Sequence, residues 1–342
     1  MHRKTYLLVL LGMAAAILSA DYVWSQIRAR VELVVVPVSV RDSYGKLVTG
    51  LQKGDFIITE DGKPQTIANF SLDPAPLSAA IVIDDGVGSK ALNRLIPLLD
   101  VMTSGFSAED EMIAFRYDHF VWKLTNFTKN KETIKKSFKE LPKIAKERQP
   151  EGQPGEPLGT APGWLRIDLG TNGPPIPIPS GADYPKPVPT SRVLHNAMYE
   201  AVEALKGRPE TFRKIVFIVS DGQAGGSGNT QTLQNNLNLM TQNQIQVYAV
   251  AVDYALTEGF LNVLNAYANT TGGEVFSGGS SRDMETAFLR ITEQARNQYV
   301  LSYVSTNEPR SIQGVRREID VKTVYPGTSV THRNSYIQYP AK

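Results

Sequence analysis

The sequence predicts an α/β fold in which a doubly wound, mostly parallel sheet is joined to a small all-β accessory domain. Between residues 77 and 298, apolar runs of strand length alternate with segments of helical periodicity, which predicts a parallel sheet covered on both faces. β-branched runs recur at 29–75 and 299–338, and neither segment is long enough to enclose a core alone. We therefore expect both ends of the chain to form one β domain.

The elements of the larger domain follow from these patterns in chain order. Apolar runs predict strands at 77–84, 111–117, 121–127, 214–220, 245–253 and 274–276. Helical spacing predicts helices at 91–102, 130–141, 193–205, 233–241, 260–269 and 284–295. In the β domain, strands are predicted at 31–40, 56–59, 65–70, 298–304 and 317–324, with the last strand character ending at 336–337.

One segment departs from this alternation. Residues 148–191 hold 11 of the 21 prolines and 7 of the 27 glycines of the chain. A structureless segment of this length inside a compact domain is uncommon and is usually functional or disordered. The composition predicts a disordered or extended insertion within the larger domain.

Composition excludes several functional classes. Lys and Arg total 36 against 34 for Asp and Glu, a balance that gives no electrostatic support for nucleic-acid binding. The absence of cysteine excludes a disulfide framework, a thiolate metal site and a catalytic cysteine. The four histidines are scattered singly, which argues against a zinc centre, so any metal must be a hard cation held by oxygen ligands.

The first 20 residues have the pattern of a secretory signal. A basic start at 1–4 precedes an apolar run at 5–20 that ends in small residues, which predicts cleavage after Ala20 and export to the periplasm or beyond the cell. The alternative is an uncleaved anchor, because residues 22–24 extend the apolar run. We expect contact with a membrane only in that case.

Two of the predicted strands run directly into acidic residues. Asp84, Asp85 and Gly86 follow the first strand of the sheet, and Asp221 follows the strand at 214–220. In an open α/β sheet, ligands lie outside the carboxyl ends of the strands, so these endings can bring two acids to one rim. Carboxylates are suitable ligands for Mg²⁺, which makes this rim a candidate metal site.

The strand endings and several flanking motifs together resemble a known family. The endings read IVIDDGVGS at 81–89 and VFIVSDG at 216–222, and the flanks read GLQKGDF at 50–56, EDGKP at 60–64 and QYVLSY at 298–303. The order of elements resembles a von Willebrand factor type A domain. More narrowly, residues 31–337 are similar to exported bacterial proteins related to that domain, of the type found in acidobacteria.

The resemblance implies a metal-ion-dependent adhesion site formed by D-x-S-x-S, a threonine and a further aspartate. Asp84 matches the first aspartate of that motif and Asp221 matches the last. Gly86 and Gly88 stand at the two serine positions, and Arg192 stands at the threonine position. Glycine supplies no side-chain oxygen, and an arginine directed at the site would compete with a divalent cation.

Three alternatives for this rim remain open at the level of sequence. Mg²⁺ could still bind if Asp85 and Ser89 became ligands, or if Thr190 replaced the missing threonine. Asp84 and Asp221 could instead only cap loops, or Arg192 could bridge both acids in a buried ion pair. We expect a rim without metal, because the departures from the motif remove ligands and add a positive charge.

The predicted function is that of a non-enzymatic, exported module for protein binding or adhesion. Its partner, which could present an acidic group, would contact the residues at the rim: Arg192, Asp85, Ser89 and Gln223. One alternative is a structural component of the cell envelope. A metal-dependent hydrolase using Asp84, Asp85 and Asp221 is the least favoured alternative, because no nucleophile with a base partner accompanies them.

Overall fold

The computed structural model describes residues 33–72, 74–143, 192–225, 228–256, 261–308 and 314–339. The predicted signal peptide at 1–20, residues 29–32 and the insertion at 148–191, which contains Thr190, lie outside the described residues. Within the described ranges, no helix is both long enough and apolar enough to cross a bilayer.

Strands and helices are numbered here in chain order. The strands are β1 (Leu33–Arg41), β2 (Phe56–Glu60), β3 (Lys63–Pro64), β4 (Ile67–Ser71), β5 (Leu77–Asp84), β6 (Glu111–Tyr117), β7 (Val121–Lys123), β8 (Arg213–Ser220), β9 (Ile245–Ala251), β10 (Val275–Ser277), β11 (Tyr299–Val304), β12 (Val315–Thr323), β13 (Ser329–His332) and β14 (Ser335–Gln338). The α-helices are α1 (Ser89–Leu95), α2 (Leu99–Ser104), α3 (Lys131–Lys139), α4 (Leu194–Lys206), α5 (Leu233–Gln242), α6 (Leu261–Thr271) and α7 (Ser281–Arg296).

The central sheet has six strands in the order β10-β9-β8-β5-β6-β7. All neighbouring pairs are parallel except β6 and β7, which are antiparallel. Every residue of β5 and of β9 is buried, as expected for strands covered on both faces. The predicted fold class is therefore confirmed.

Helices cover both faces of this sheet. On one face, α1, α2, α3 and α7 pack with the odd-numbered residues of β5, such as Ile81 and Ile83, in one core. On the other face, α4, α5 and α6 pack with Ala80 and Val82 in a second core. The chain thus winds around the sheet in both directions, which is the doubly wound arrangement.

The predicted helix at 91–102 is wrong as a single element. The structure has α1 and α2 with a short 3₁₀ turn at Ile96–Leu98 between them. Pro97 lies in that turn and has no amide hydrogen to continue an α-helical hydrogen bond. The apolar spacing continues through the turn, so the periodicity alone did not indicate the break.

The strand predicted at 121–127 is also shorter in the structure, because β7 ends at Lys123. Beyond that point the Thr125 hydroxyl accepts the hydrogen bond from the Ala114 amide, at 3.0 Å. A side chain thus replaces a backbone carbonyl in the ladder, which ends regular pairing.

The β domain consists of two four-stranded sheets with the orders β13-β1-β11-β4 and β14-β12-β2-β3. β1 pairs with β11 and β2 pairs with β12, both antiparallel, so strands from the two ends of the chain are neighbours in each sheet. Their inner faces share one core that includes Val36, Ile58, Leu301 and Val321.

Polar contacts join the β domain to the end of the central sheet where its parallel strands begin. Arg213, the first residue of β8, donates to the carbonyl oxygens of Ala295 and Gln298 at 3.1 Å each. The buried Gln298 side-chain amide in turn donates to the Tyr248 hydroxyl in β9 at 3.0 Å and to the Ser39 hydroxyl in β1, a strand of the β domain, at 3.4 Å. The rim formed by the carboxyl ends of the strands is therefore at the opposite end of the sheet from the β domain.

Candidate functional site

Acidic residues lie just beyond three neighbouring parallel strands at this rim. Asp84 ends β5 and is followed by Asp85, Asp221 directly follows β8, and Asp253 comes two residues after β9. The first three were predicted from the sequence as site residues, whereas Asp253 was not. The same signal, an apolar run that ends on a carboxylate, is present at 245–253 and could have identified it.

Asp84 is fully buried and has a hydrogen bond to each carboxyl oxygen. Its Oδ1 accepts from the Gly86 amide at 3.0 Å, and its Oδ2 accepts from the hydroxyls of Tyr117 at 3.1 Å and Ser220 at 3.2 Å. Burial raises the pKa of Asp84 from 3.8 to about 8, although the Arg192 guanidinium lowers it. Burial thus favours the protonated form of this side chain.

Arg192 places its guanidinium beside Asp84 and against the loop that follows β5. Its Nη1 lies 3.6 Å from Asp84 Oδ1, and its Nη2 donates a hydrogen bond to the carbonyl oxygen of Gly86. A β-carbon built at Gly86 would lie 1.1 Å from Arg192 Nη1. The glycine at this position therefore makes the space that the guanidinium occupies.

Asp85 pairs with a different arginine. Its Oδ2 lies 2.5 Å from Arg116 Nη1, and the Arg116 guanidinium stacks 3.7 Å above the centre of the Trp122 ring. Asp85 is 2 % exposed, and its pairing with Arg116 neutralises its charge inside the protein. Ser89, the other alternative ligand, is the first residue of α1.

Asp221 is hydrogen-bonded by its own loop. The backbone amide of Gln223 donates to its Oδ1 at 3.0 Å, and the Gln223 side-chain amide donates to its Oδ2 at 2.8 Å. Both residues are buried. The Arg192 guanidinium lies beside the Asp84 carboxyl, at 3.6 Å, whereas both oxygens of Asp221 are hydrogen-bonded by Gln223. Gln223, predicted as a partner contact, is directed into the protein.

Asp253 holds the far side of the glycine loop. Its Oδ2 accepts from the Gly88 amide at 3.0 Å, and its Oδ1 lies 3.4 Å from Arg94 Nη2. The loop from Gly86 to Gly88 is thus attached to an aspartate at each end. Of the two glycines at serine positions, Gly86 faces Arg192 and Gly88 faces Asp253.

The space beside Asp84 at this rim is occupied by side chains of the protein itself. The volume next to Asp84 into which a side chain at position 86 would project is filled by the Arg192 guanidinium. Across the described ranges, no group of three or more acidic or histidine side chains is placed to hold a metal ion. Thr190, the alternative ligand, lies outside the described residues.

No protein-family model matches the sequence, and no curated protein matches it. Among solved structures, proximal thread matrix protein 1 of the mussel byssus is similar at 13% identity and a TM-score of 0.42, covering 66% of this chain and 49% of that one. This chain therefore spans about half of the length of the mussel protein. One structure of the mussel protein has zinc in its MIDAS motif.

Two bacterial structures are similar to this chain at comparable TM-scores. BatB from Bacteroides thetaiotaomicron is 10% identical, with 64% of this chain and 98% of that one covered and a TM-score of 0.41. A von Willebrand factor type A structure from Catenulispora acidiphila is 8% identical, with 92% and 76% covered and a TM-score of 0.44. The doubly wound architecture is established by the strand order of this chain itself, and a von Willebrand type A structure is among those to which it is similar.

Proposed function

We propose that this chain is an exported, non-enzymatic module of the von Willebrand type A kind, which binds a protein partner through the rim that carries Arg192. The observation that carries the proposal is the fit of the Arg192 guanidinium into the space left by Gly86, beside Asp84. In this proposal a fixed arginine takes the position that a divalent cation has in the adhesion site described above for the family.

The charges around Arg192 support this role. Burial favours the protonated, uncharged form of Asp84, and the charge of Asp85 is balanced by Arg116. The positive charge of Arg192 is therefore only weakly neutralised by its immediate neighbours. A guanidinium forms short, paired hydrogen bonds with carboxylates, so an acidic side chain is the partner group that this position would favour.

The exposed part of Arg192 is small, which limits how a partner can approach. The side chain is 15 % exposed, and its Nη2 is already bonded to the Gly86 carbonyl. A partner carboxylate would reach the remaining edge of the guanidinium, within a water-poor environment where a charge-assisted hydrogen bond is stronger than at an open surface. We therefore infer selectivity for one protruding acidic side chain rather than for an extended acidic surface.

Export is part of the proposal and rests on the basic and apolar pattern of residues 1–20. A partner would then be met in the periplasm, at the cell surface or outside the cell. The hydrolase alternative gains no support from the rim, because Asp84, Asp85 and Asp221 are buried and occupied by hydrogen bonds or an ion pair within the chain.

The proposal is tested with immobilised peptides that present a single central glutamate, compared with peptides that present glutamine there. We expect the glutamate peptides to bind the wild-type chain equally well in Mg²⁺ and in a chelator, and Arg192→Gln to weaken binding at least about tenfold. Arg282→Gln removes the same charge from an exposed position on α7 and serves as the control. Binding that requires Mg²⁺, or that survives Arg192→Gln, would contradict the proposal.

A further inference from the structure

Two asparagines join the start of α4 to the loop that follows β8. Asn196 belongs to the first turn of α4, and Asn229 lies in the loop. The Asn229 side chain bonds the backbone at the start of α4, and the Asn196 side chain bonds the backbone of the loop. We call these two sets of hydrogen bonds the asparagine clasp. Arg192, two residues before the first residue of α4, lies next to this clasp.

Asn229 supplies the cap that α4 lacks. The residue at the N-cap position is Val193, whose side chain cannot accept a hydrogen bond. Asn229 Oδ1 instead accepts from the backbone amides of His195 at 2.9 Å and Asn196 at 3.3 Å. Two of the amides that a helix start leaves without intrahelical partners are thereby satisfied from another loop.

The side-chain amide nitrogen of Asn229 bonds the backbone of Arg192. Asn229 Nδ2 donates to the backbone carbonyl of Arg192 at 2.8 Å and to that of Ala224 at 3.0 Å. The four partners of Asn229 therefore include the backbone of the residue that carries the guanidinium. Only asparagine and the longer glutamine carry a planar amide group with two N–H donors and one carbonyl acceptor.

Asn196 completes the clasp from the helix side. Its Oδ1 accepts from the amides of Thr230 at 2.9 Å and Gln231 at 3.0 Å, and its Nδ2 donates to the Gly228 carbonyl at 3.1 Å. The loop segment around Asn229 is thus held by the helix that it caps. One further bond, from the Val193 amide to the Asp118 carbonyl at 3.0 Å, fixes the backbone just beyond Arg192.

We infer that Asn229 is a positioning residue of the rim: by bonding the Arg192 carbonyl while it caps α4, it sets the guanidinium over Gly86 and beside Asp84. The inference rests on the proposed function only for its effect on binding. The geometry itself is tested without any partner.

The first test follows the titration of Asp84 by NMR in Asn229→Ala. Arg192 lowers the pKa of Asp84, whereas Asp221 and Asp85 raise it, so movement of Arg192 away from its position 3.6 Å from the carboxyl raises the pKa further. A doubling of that distance predicts a rise of about one to two units at an effective dielectric near 20. Asn235→Ala, at an exposed position on α5, is the control and leaves the titration unchanged.

A folded Asn229→Ala variant with the wild-type titration of Asp84 overturns the inference, because a merely structural role changes stability without moving Arg192. If Asn229→Ala does not fold, Asn229→Asp retains the two acceptor bonds that cap α4 and removes both donor bonds. Its new charge would act on Asp84 directly, so the readout is hydrogen exchange of the Arg192 guanidinium. We expect exchange at least about tenfold faster than in the wild type, and unchanged exchange overturns the inference.

Binding distinguishes this inference from the proposed function. If the glutamate peptides bind the wild type, Asn229→Ala weakens them about tenfold or more, the scale of a lost charge-assisted hydrogen bond. If no glutamate peptide binds the wild type, the proposed function fails, and the Asp84 titration and guanidinium exchange still decide the role of Asn229.

Discussion

Gly86 and Arg192 share one volume: a β-carbon on Gly86 would lie 1.1 Å from Arg192 Nη1 and 2.4 Å from Cζ. The guanidinium can occupy its position only because residue 86 has no side chain. A serine at position 86 would require the guanidinium to move. The absence of a side chain at position 86 and the position of the Arg192 guanidinium are thus one structural feature.

This relationship predicts strong coupling between the two positions. We expect Gly86→Ala to displace the guanidinium end of the flexible Arg192 side chain, and therefore to lower the free energy of unfolding by only about 1 kcal/mol, the low end of the cost of an added group in a filled space. In an Arg192→Ala background the same change should cost much less. A double-mutant cycle by urea denaturation measures the coupling, and additive effects would show that the two residues do not share the site.

The raised pKa of Asp84 predicts a specific pH dependence of stability. Asp84 ionises near 3.8 when unfolded and near 8 when folded, so between these values the folded state holds the proton and the unfolded state does not. The stability from this group is fully present below pH 3.8 and is lost as the pH rises through about 8. The slope reaches about 1.4 kcal/mol per pH unit.

Asp84→Asn should remove this component, since an amide cannot ionise. The measurement is urea denaturation of the wild type and the variant across the range from acid to alkaline pH. Asp100→Asn serves as a control, because the lowered pKa of exposed Asp100, caused mainly by its hydrogen bond with Lys135, has the opposite sign. An unchanged slope in Asp84→Asn would assign the pH dependence to other groups.

Loss of Arg192 should be harmful mainly at alkaline pH. Without the guanidinium, an ionised Asp84 is a buried charge with no cation beside it, which costs about 3 kcal/mol or more. At mildly acidic pH Asp84 is protonated, so Arg192→Ala should be milder there. Thermal unfolding at mildly acidic and at alkaline pH measures how the cost of Arg192→Ala depends on pH. This dependence should disappear in the double variant that also carries Asp84→Asn. A cost independent of pH would indicate that packing, rather than charge, dominates.

A different buried carboxylate is expected to hold the β domain together. Glu60 is fully buried and accepts from Ser305 Oγ at 2.5 Å, Asn307 Nδ2 at 2.7 Å, Tyr303 Oη at 2.7 Å and Tyr336 Oη at 3.0 Å. These donors come from the C-terminal part of the chain, whereas Glu60 ends β2. The residue therefore links the two chain ends within one core.

We expect Glu60→Ala to lower the free energy of unfolding by about 3 kcal/mol, because it leaves several buried donors without an acceptor. Glu318→Ala, at an exposed position on β12, should change it by less than about 0.5 kcal/mol. Chemical denaturation compares the two variants. Equal effects would show that the Glu60 contacts contribute no more than an exposed carboxylate.

Local patterns predicted most of the central sheet, and they were wrong where a single residue overrode them. The uninterrupted apolar run at 77–84 became β5 with the predicted bounds, because a strand buried on both faces needs apolar residues throughout. The helix at 91–102 was broken by Pro97, and the strand at 121–127 ended early where Thr125 took a backbone position in the ladder. Both errors arise because Pro97 and the Thr125 hydroxyl each act at a single position and leave the apolar periodicity of the sequence unchanged.

The candidate site was predicted less completely. The sequence indicated Asp84, Asp221, Gly86 and Arg192, because strand endings and a family motif have fixed spacing. It did not indicate Tyr117 or Asn229, which reach the site from a neighbouring strand and from a separate loop. Asp253 was accessible from its strand ending and was overlooked.

The sequence by itself determined the alternation of strands and helices, the position of the acids at the ends of two strands, and the presence of glycine at 86 and 88 and of arginine at 192. These properties depend on residues close together in the chain. Only the tertiary structure decided that Arg192 pairs with Asp84 while Asp221 bonds Gln223, and that Gly86 provides the space for the guanidinium. The physical reason is that burial, charge separation and steric fit between residues 106 positions apart depend on how the strands and loops meet in space.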